Sequence, residues 1–266
     1  MEKIIDSIRS RRSVRGFDGR EPDMATLETL LQSETANPFG IPVSYKLLRA
    51  DEHGLSCPVV SGTELYIGGR IQKGPRSNEA FGYSFERLIL AATAMGLGTV
   101  WLGGTMNRDA YERAMELAEG EMMPCATPIG YMAKKMSIKE SVMRRAIRAD
   151  GRQPFETLFF RDDFFTPLTP AEAGALAEPL EMVRLAPSAV NRQPWRVLLR
   201  EGEVHFYLKR AKAFDGGELD MQRIDMGIAL CHFELSARAA GLEPVFSQAA
   251  PDINAGELEY IASYRI

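Results

Sequence analysis

The chain runs twice through one order of signals, and any fold it adopts has to accommodate both passes. Ala94-Met95-Gly96-Leu97 closes one apolar helix pattern, and Ala239-Ala240-Gly241-Leu242 closes another at an offset of 145 residues. Upstream of each, a proline-bracketed turn leads into an apolar run. The first is Ala36-Asn37-Pro38-Phe39-Gly40-Ile41-Pro42-Val43-Ser44-Tyr45 before Leu47-Leu48. The second is Leu185-Ala186-Pro187-Ser188-Ala189-Val190-Asn191-Arg192-Gln193-Pro194-Trp195 before Val197-Leu198-Leu199. A shift of 150 places Ala36 on Ala186, Tyr45 on Trp195, Lys46 on Arg196 and Leu48 on Leu198. The two offsets differ by about 5 residues, which a loop absorbs at small entropic cost. A repeat of this size predicts two similar half-chains, 1–158 and 159–266, fused as a single-chain counterpart of a dimer. At 266 residues and 45% hydrophobic content, there is ample material for a sizeable core.

The two copies differ in chemistry, because no Ser or Asn in the first stands where Ser188 and Asn191 stand in the second. Pro187 and Pro194 demand a helix that ends before Pro187 and a strand that begins near Trp195, so Ser188, Asn191 and Gln193 are displayed on irregular backbone. Such a loop either offers hydroxyl and amide groups to a ligand or uses them to satisfy its own turn. At the amino terminus a helix over 2–10, with Ile4, Ile5 and Ile8 on one face, runs into Arg11-Arg12-Ser13-Val14-Arg15-Gly16-Phe17. Arg forks with a hydroxyl donor suit a phosphate dianion, and basic side chains equally suit a solvated helix carboxyl end.

Between these motifs the pattern predicts a helix over 21–32 with Met24, Leu27, Leu30 and Leu31 inward, a short strand at Leu65-Tyr66-Ile67, and a loop from Gly68 to Gly82. A helix from Ser84 to Met95 then precedes Leu97-Gly98-Thr99-Val100-Trp101-Leu102-Gly103-Gly104. These glycines follow a helix instead of a strand and lack the dinucleotide spacing, so a Rossmann reading is rejected. A short strand and a Gly-Gly turn that brings backbone N–H groups to a ligand is the alternative. A helix over 109–119, a strand over 125–131, a basic face over 134–152, a helix from Thr169-Pro170-Ala171-Glu172 to about Leu185, a hairpin strand at 204–208 and a helix over 225–240 complete the order. Without βαβ regularity, this predicts an α+β fold with mainly antiparallel sheets flanked by helices.

Other chemistries find little support. Cys57, Cys125 and Cys231 are widely spaced and odd in number, and His53, His205 and His232 form no ligand-spaced cluster, so neither disulfides nor a metal site is expected. A net charge of −4 argues against nucleic acid as principal partner. No apolar run approaches the roughly 20 residues of a membrane span and no signal-peptide core is evident, which predicts no membrane association and a cytoplasmic location.

Three motifs together resemble the FMN-dependent nitroreductase family: Arg11-Arg12-Ser13-x-Arg15-x-Phe17, Gly96-Leu97-Gly98-x-x-Trp101-x-Gly103-Gly104, and Ala186-Pro187-Ser188 with Asn191-x-Gln193-Pro194-Trp195. Arg152-Gln153-Pro154-Phe155-Glu156-Thr157-Leu158 is similar to the family's carboxyl-terminal arginine segment. The resemblance implies an FMN site in which Arg11, Arg12, Ser13 and Arg152 bind the phosphate. Arg15 tunes the flavin, and a backbone N–H of Gly103 or Gly104 serves N5. Pro187, Ser188, Asn191 and Gln193 reach the same flavin from the other half. It further implies one FMN per chain, a monomer that mimics the family homodimer, and hydride transfer from NAD(P)H to a nitro, quinone or similar electron-poor acceptor without a catalytic residue of the protein. The alternative is a flavin-binding protein without turnover.

Overall fold

Ile8 is buried on the apolar face of the first helix, α1 (Glu2–Ser10). The computed structural model describes residues 2–32, 36–135, 141, 142, 145, 151–211 and 217–266. Its compact units are Ser10–Ala149 and Met1–Arg9 with Asp150–Ile266. The expected boundary at 158 divides a sequence repeat, whereas these units divide packing. Helix α1 therefore counts with the carboxyl-terminal segment, where Arg9 meets Glu178 at 3.1 Å.

In the unit Ser10–Ala149, Asp23 caps α2 (Met24–Leu31) by accepting the Thr26 N–H at 2.8 Å. Leu27 and Leu30 are buried, but Met24, expected inward, is the first residue of the helix and 60% exposed. Strand β1 (Val43–Arg49), followed by the single turn α3 (Ala50–His53), pairs antiparallel with β2 (Leu65–Gln72). Strand β2 also pairs antiparallel with β3 (Glu121–Met122) and β4 (Ala126–Pro128). Helix α4 (Ser77–Ala94) packs on β2, and α5 (Arg108–Met115) is shorter than the sequence pattern.

The expected loop over 68–82 is instead the end of β2 and the start of α4. Gly68 and Gly69 are strand residues because helices press on them. A Cβ at Gly69 would lie 2.7 Å from Phe81 Cε2, and one at Gly68 would overlap the Met115 sulfur. Phe81 and Phe85 stack at 5.1 Å, and Trp101 meets Phe85 edge-on at 4.9 Å.

In the other unit, α6 (Phe155–Leu158) leads into β5 (Phe159–Arg161). A full capping box between Thr169 and Glu172 starts α7 (Pro170–Ala173) as the sequence predicts. The helix expected to run on to Leu185 is interrupted at Gly174 (φ 54°) and resumes, after a 3-10 turn, as α8 (Ala177–Leu185). Strands β6 (Trp195–Arg200) and β7 (Glu203–Leu208) form the predicted hairpin. Helix α9 (Met221–Ala239) is capped by Asp220, and β8 (Val245–Ser247) and β9 (Glu259–Arg265) close the chain. The sheet order is β5-β6-β7-β9-β8, with β5–β6 parallel and the other pairs antiparallel.

Both halves thus follow one order: α2-β1-β2-α4-β4 and α8-β6-β7-α9-β9. In each, the first two strands pair antiparallel and the closing strand pairs antiparallel with the second. No described helix is long and apolar enough to cross a membrane.

Candidate functional site

Where α1 ends, the chain becomes extended and runs beside a second motif from far along the sequence. Ser13 bridges Thr99 in parallel, and the Val14 N–H donates to the Thr99 carbonyl at 2.8 Å. On the other side, Gly98 N–H donates to the Gly130 carbonyl at 2.8 Å, and Leu102 and Ala126 exchange bonds of 2.9 and 3.0 Å. The short strand expected before the Gly103-Gly104 turn is therefore an extended run held by isolated bridges. Gly98 permits this approach, since a Cβ there would lie 2.8 Å from Val14 Cγ1 and 2.9 Å from Met132 Cγ.

The polar residues of the first motif do different work. The Arg11 side chain is only 6% exposed, and its Nε lies 4.0 Å from Oε1 of Glu86, an acid of α4 with no exposure. Glu86 Oε2 accepts the Trp101 indole N–H at 2.9 Å, so one buried carboxylate faces both motifs. Arg12 is exposed and reaches the Met132 sulfur at 3.7 Å, whereas Ser13 and Arg15 are half-buried. Gly104 is exposed, with open space where a Cβ would stand. The Gly103 carbonyl accepts from Arg108 at 2.5 Å, and the same guanidinium donates to the Met123 and Pro124 carbonyls at 2.7 and 3.1 Å. Arg108 therefore fixes the turn's shape.

In the other unit α8 ends at Leu185 and β6 begins at Trp195, as the prolines require. Between them Val190 (φ 45°), Asn191 (φ 57°) and Gln193 (φ 51°) occupy left-handed backbone, at about 1–3 kcal/mol of strain each. Local bonds hold this shape. Ser188 Oγ accepts the Gln193 N–H at 2.8 Å, and Asn191 Nδ2 donates to the Gly151 carbonyl at 2.8 Å. Gln193 is buried, and its Oε1 accepts the Gln153 N–H at 2.9 Å. Arg152 donates to Asn191 Oδ1 at 3.3 Å and to the Leu185 carbonyl at 3.2 Å. Arg196 is half-buried with Gln193 and Trp195 carbonyls as acceptors, and burial pulls its pKa down.

A family model described as "Putative TM nitroreductase" matches residues 3–237. The chain belongs to this nitroreductase family. Among solved structures, a "putative nitroreductase" from Thermotoga maritima is similar at 22% identity and TM-score 0.64, covering 98% of this chain and 92% of its own, a likeness of fold. A nitroreductase family protein from Clostridium novyi NT matches at 15% identity and TM-score 0.43 over 49% of this chain and 86% of its own. The FMN-dependent nitroreductase from Clostridium difficile R20291 matches at 15% identity and TM-score 0.39 over 50% and 90%. No curated protein matches the sequence.

The α+β nitroreductase fold accounts for the motifs that lie together in the unit Ser10–Ala149, and the donor set there fits FMN: an exposed Arg12, the Ser13 hydroxyl, a second cation in Arg15 and a glycine turn with room beside Gly104. Arg11 fits less directly, because its charge faces Glu86. At the Pro187–Gln193 loop, Ser188, Asn191 and Gln193, with Arg152 beside them, all hold the loop together, so the self-satisfying reading of these side chains applies to each of them in this structure. Most of the basic face after Lys135, including Lys139, Glu140, Arg144, Arg148 and Asp150, lies outside the described residues.

Sequence reasoning missed Glu86, Arg108, Gln153 and Asp225. The one signal for Glu86 and Asp225 was an acid inside an apolar helix run, Phe85-Glu86-Arg87-Leu88 and Ile224-Asp225-Met226. His205 and His232 are buried, bonded through Nδ1 to Ser263 Oγ at 2.7 Å and to the Met182 carbonyl at 2.8 Å. Among the described residues no group of three His, Cys, Asp or Glu side chains is gathered for a metal ion, and Cys57, Cys125 and Cys231 are buried and not joined in disulfides.

Proposed function

We propose that the protein is an FMN-dependent oxidoreductase that takes a hydride from NADH or NADPH and passes it to a nitro, quinone or similar electron-poor acceptor. The observation that carries this reading is the juxtaposition of the Arg11–Arg15 segment with the run ending in Gly103-Gly104, two motifs distant in sequence and bonded to each other at Thr99. Membership of the nitroreductase family supports it.

FMN, when bound, supplies the two-electron chemistry, so the chain's residues bind and orient. Arg12 and Ser13 are the proposed phosphate ligands, a fork and a hydroxyl for a dianion. Arg15 is the cation proposed to stabilise the reduced flavin, and a backbone N–H of the Gly103-Gly104 turn is the proposed donor to it. Arg11 is assigned to hold the arginine segment against Glu86, with the phosphate as its second role. Ser188 and Asn191 are proposed as further flavin contacts from a loop that Arg152, Gln153 and Gln193 keep in shape. Pro187 sets that loop's start.

The test is reconstitution with FMN followed by anaerobic addition of NADH or NADPH. Bound flavin that bleaches with either nucleotide supports the oxidoreductase. Flavin that binds and does not bleach supports the alternative, a flavin-binding protein without turnover, and failure to bind flavin refutes both. Within the site, Arg12→Ala should weaken FMN by about 10- to 100-fold while sparing riboflavin, the loss of a charged hydrogen bond of about 1.5–3 kcal/mol. Arg15→Ala should shift the flavin midpoint potential, and an unchanged potential removes Arg15 from that role.

A further inference from the structure

Asp225 is a carboxylic acid in the second turn of α9, on its buried side and 2% exposed, and neither the flavin chemistry nor helix capping accounts for it. Capping is done by Asp220, whose Oδ1 accepts the N–H groups of Gln222 and Arg223. Asp225 Oδ1 instead reaches out of the helix and accepts the Ala189 N–H at 2.9 Å, at the start of the left-handed run Val190, Asn191 and Gln193. Its Oδ2 is buried without a hydrogen-bond partner.

That run needs an outside hold. Val190 is β-branched, half-exposed, and sits at φ 45°, where such residues are outliers. The bonds of Ser188, Asn191 and Gln193 described above tie the loop to itself and to Gly151 and Gln153, which are also loop residues. The Asp225 bond joins it to a long buried helix. Strained backbone persists where its surroundings over-determine it, and such loops serve ligand sites. Burial raises the Asp225 pKa well above the ordinary carboxylate value, while the Ala189 N–H and the nearby Asp220 act in opposite senses. Charged or neutral, the group offers an oxygen to the Ala189 N–H.

We propose that Asp225 is the positioning residue of the Ser188–Gln193 loop: its Oδ1 fixes the Ala189 N–H, and through it the flavin contacts of Ser188 and Asn191 are set from helix α9. The proposal rests on the FMN reading for its purpose, and its geometry stands apart from it.

The test compares wild type, Asp225→Asn and Asp225→Leu. Asn keeps an acceptor where Oδ1 stands; Leu keeps the branched shape and the number of heavy atoms and removes it. In the apoprotein, amide hydrogen exchange at Ala189–Gln193 should be unchanged in Asp225→Asn. It should be faster by about 10-fold in Asp225→Leu, with the rest of α9 unaltered, the size expected for one lost backbone hydrogen bond. On reconstitution, Asp225→Leu should weaken FMN and riboflavin by the same factor of about 10, since loop geometry and not phosphate binding is lost, and Asp225→Asn should restore both. If Asp225→Leu does not fold, Ala189→Pro deletes the donor from the half-exposed side of the same bond and is scored by exchange at Val190–Gln193, since residue 189 then carries no amide hydrogen. Unchanged exchange at Ala189–Gln193 in the acceptor-free variant overturns the proposal, as does loss of flavin in Asp225→Asn. If wild type binds no flavin, the FMN reading falls while the exchange comparison still decides the loop's anchor.

Discussion

Glu86 carries a prediction that separates a buried strut from a surface charge. The carboxylate has no exposure, faces an Arg11 side chain 6% exposed at 4.0 Å, and accepts the Trp101 indole N–H at 2.9 Å. At 4 Å and an effective dielectric of about 20, the gross attraction is about 4 kcal/mol. Removing one partner of a buried pair typically costs about 3–5 kcal/mol, because the other charge is left uncompensated. Glu86→Gln preserves volume and can still accept from Trp101, so its cost isolates the charge. Arg11→Met keeps the apolar stem, and the double variant should recover about 2 kcal/mol relative to the sum of the singles. Trp101→Phe, which removes the indole donor together with part of the ring packed on Phe85, should cost at least about 1.5–3 kcal/mol, read by circular dichroism because this variant lacks one of the two fluorophores. The assay is urea unfolding of the apoprotein followed by tryptophan fluorescence, for which the two tryptophans, Trp101 and Trp195, lie one in each unit. Moderate salt should change these values little, since buried pairs are poorly screened. A Glu86→Gln cost below about 1 kcal/mol, or strict additivity with Arg11→Met, refutes the strut.

Three further outcomes follow from the structure. Gly69→Ala should cost about 1–3 kcal/mol of unfolding free energy, because its Cβ would press on the fully buried rings of Phe81 and Phe85; a change under about 0.5 kcal/mol contradicts the close approach. Thr169→Ala should cost about 0.5–2 kcal/mol by removing the capping box with Glu172, and a neutral result in thermal unfolding removes the cap from the account. For Asp225 the folded pKa is raised, so the native state holds more protons than the unfolded chain above pH ~4. Wild-type stability is then greatest, as far as this group contributes, below the unfolded pKa, and falls by up to about 1.4 kcal/mol per pH unit until the folded pKa is passed. Asp225→Asn, which does not titrate, should gain on wild type as the pH rises above about 4 in urea melts, and a pH-independent difference would contradict a raised pKa at Asp225.

What could be read from the residues was local. Gly96 and Gly241 end their helices with the same pair of bonds, Gly96 N–H to Thr93 at 2.9 Å with Leu97 N–H to Ala92 at 2.9 Å, and Gly241 N–H to Arg238 at 3.1 Å with Leu242 N–H to Ala237 at 3.0 Å. The left-handed glycine that makes this possible is visible in sequence. So were the Thr169–Glu172 box and the β6–β7 hairpin. What escaped was set by partners distant along the chain. Gly68 and Gly69 read as loop because glycine weakens a strand, and the residues that need their smallness, Met115, Phe81 and Phe85, come from α4 and α5. Asp225 stood at the first position of the helix expected over 225–240, whereas the helix begins at Met221, capped by Asp220, and carries Asp225 inside it. A count of charges at 11–15 could not show that Arg11 turns toward a buried acid while Arg12 stays in solvent.

The shared element order with unshared chemistry leads to a last prediction, resting on the FMN reading: one flavin per chain. A second flavin would need a cation cluster opening the second half, and the chain there is Arg161-Asp162-Asp163-Phe164-Phe165. Arg161 is turned to Glu172 at 3.7 Å. The Asp163 carboxylate accepts the Phe165 and Thr166 N–H groups, both at 2.8 Å, which hold its pKa below the usual range and keep it negative. A phosphate would meet that charge as a repulsion. The glycine turn has no counterpart either, since Glu243-Pro244 follows Leu242 and β8 begins at Val245. In the first copy of the loop, Asn37 spends its amide on the Ile41 carbonyl at 2.7 Å and on Ser84 Oγ at 3.0 Å, and its carbonyl on the Phe39 N–H at 3.1 Å. Each of these pieces has been diverted to structure. Flavin released by denaturation after full reconstitution should therefore approach one per chain, and a reproducible value near two would mean that the degraded copy still binds.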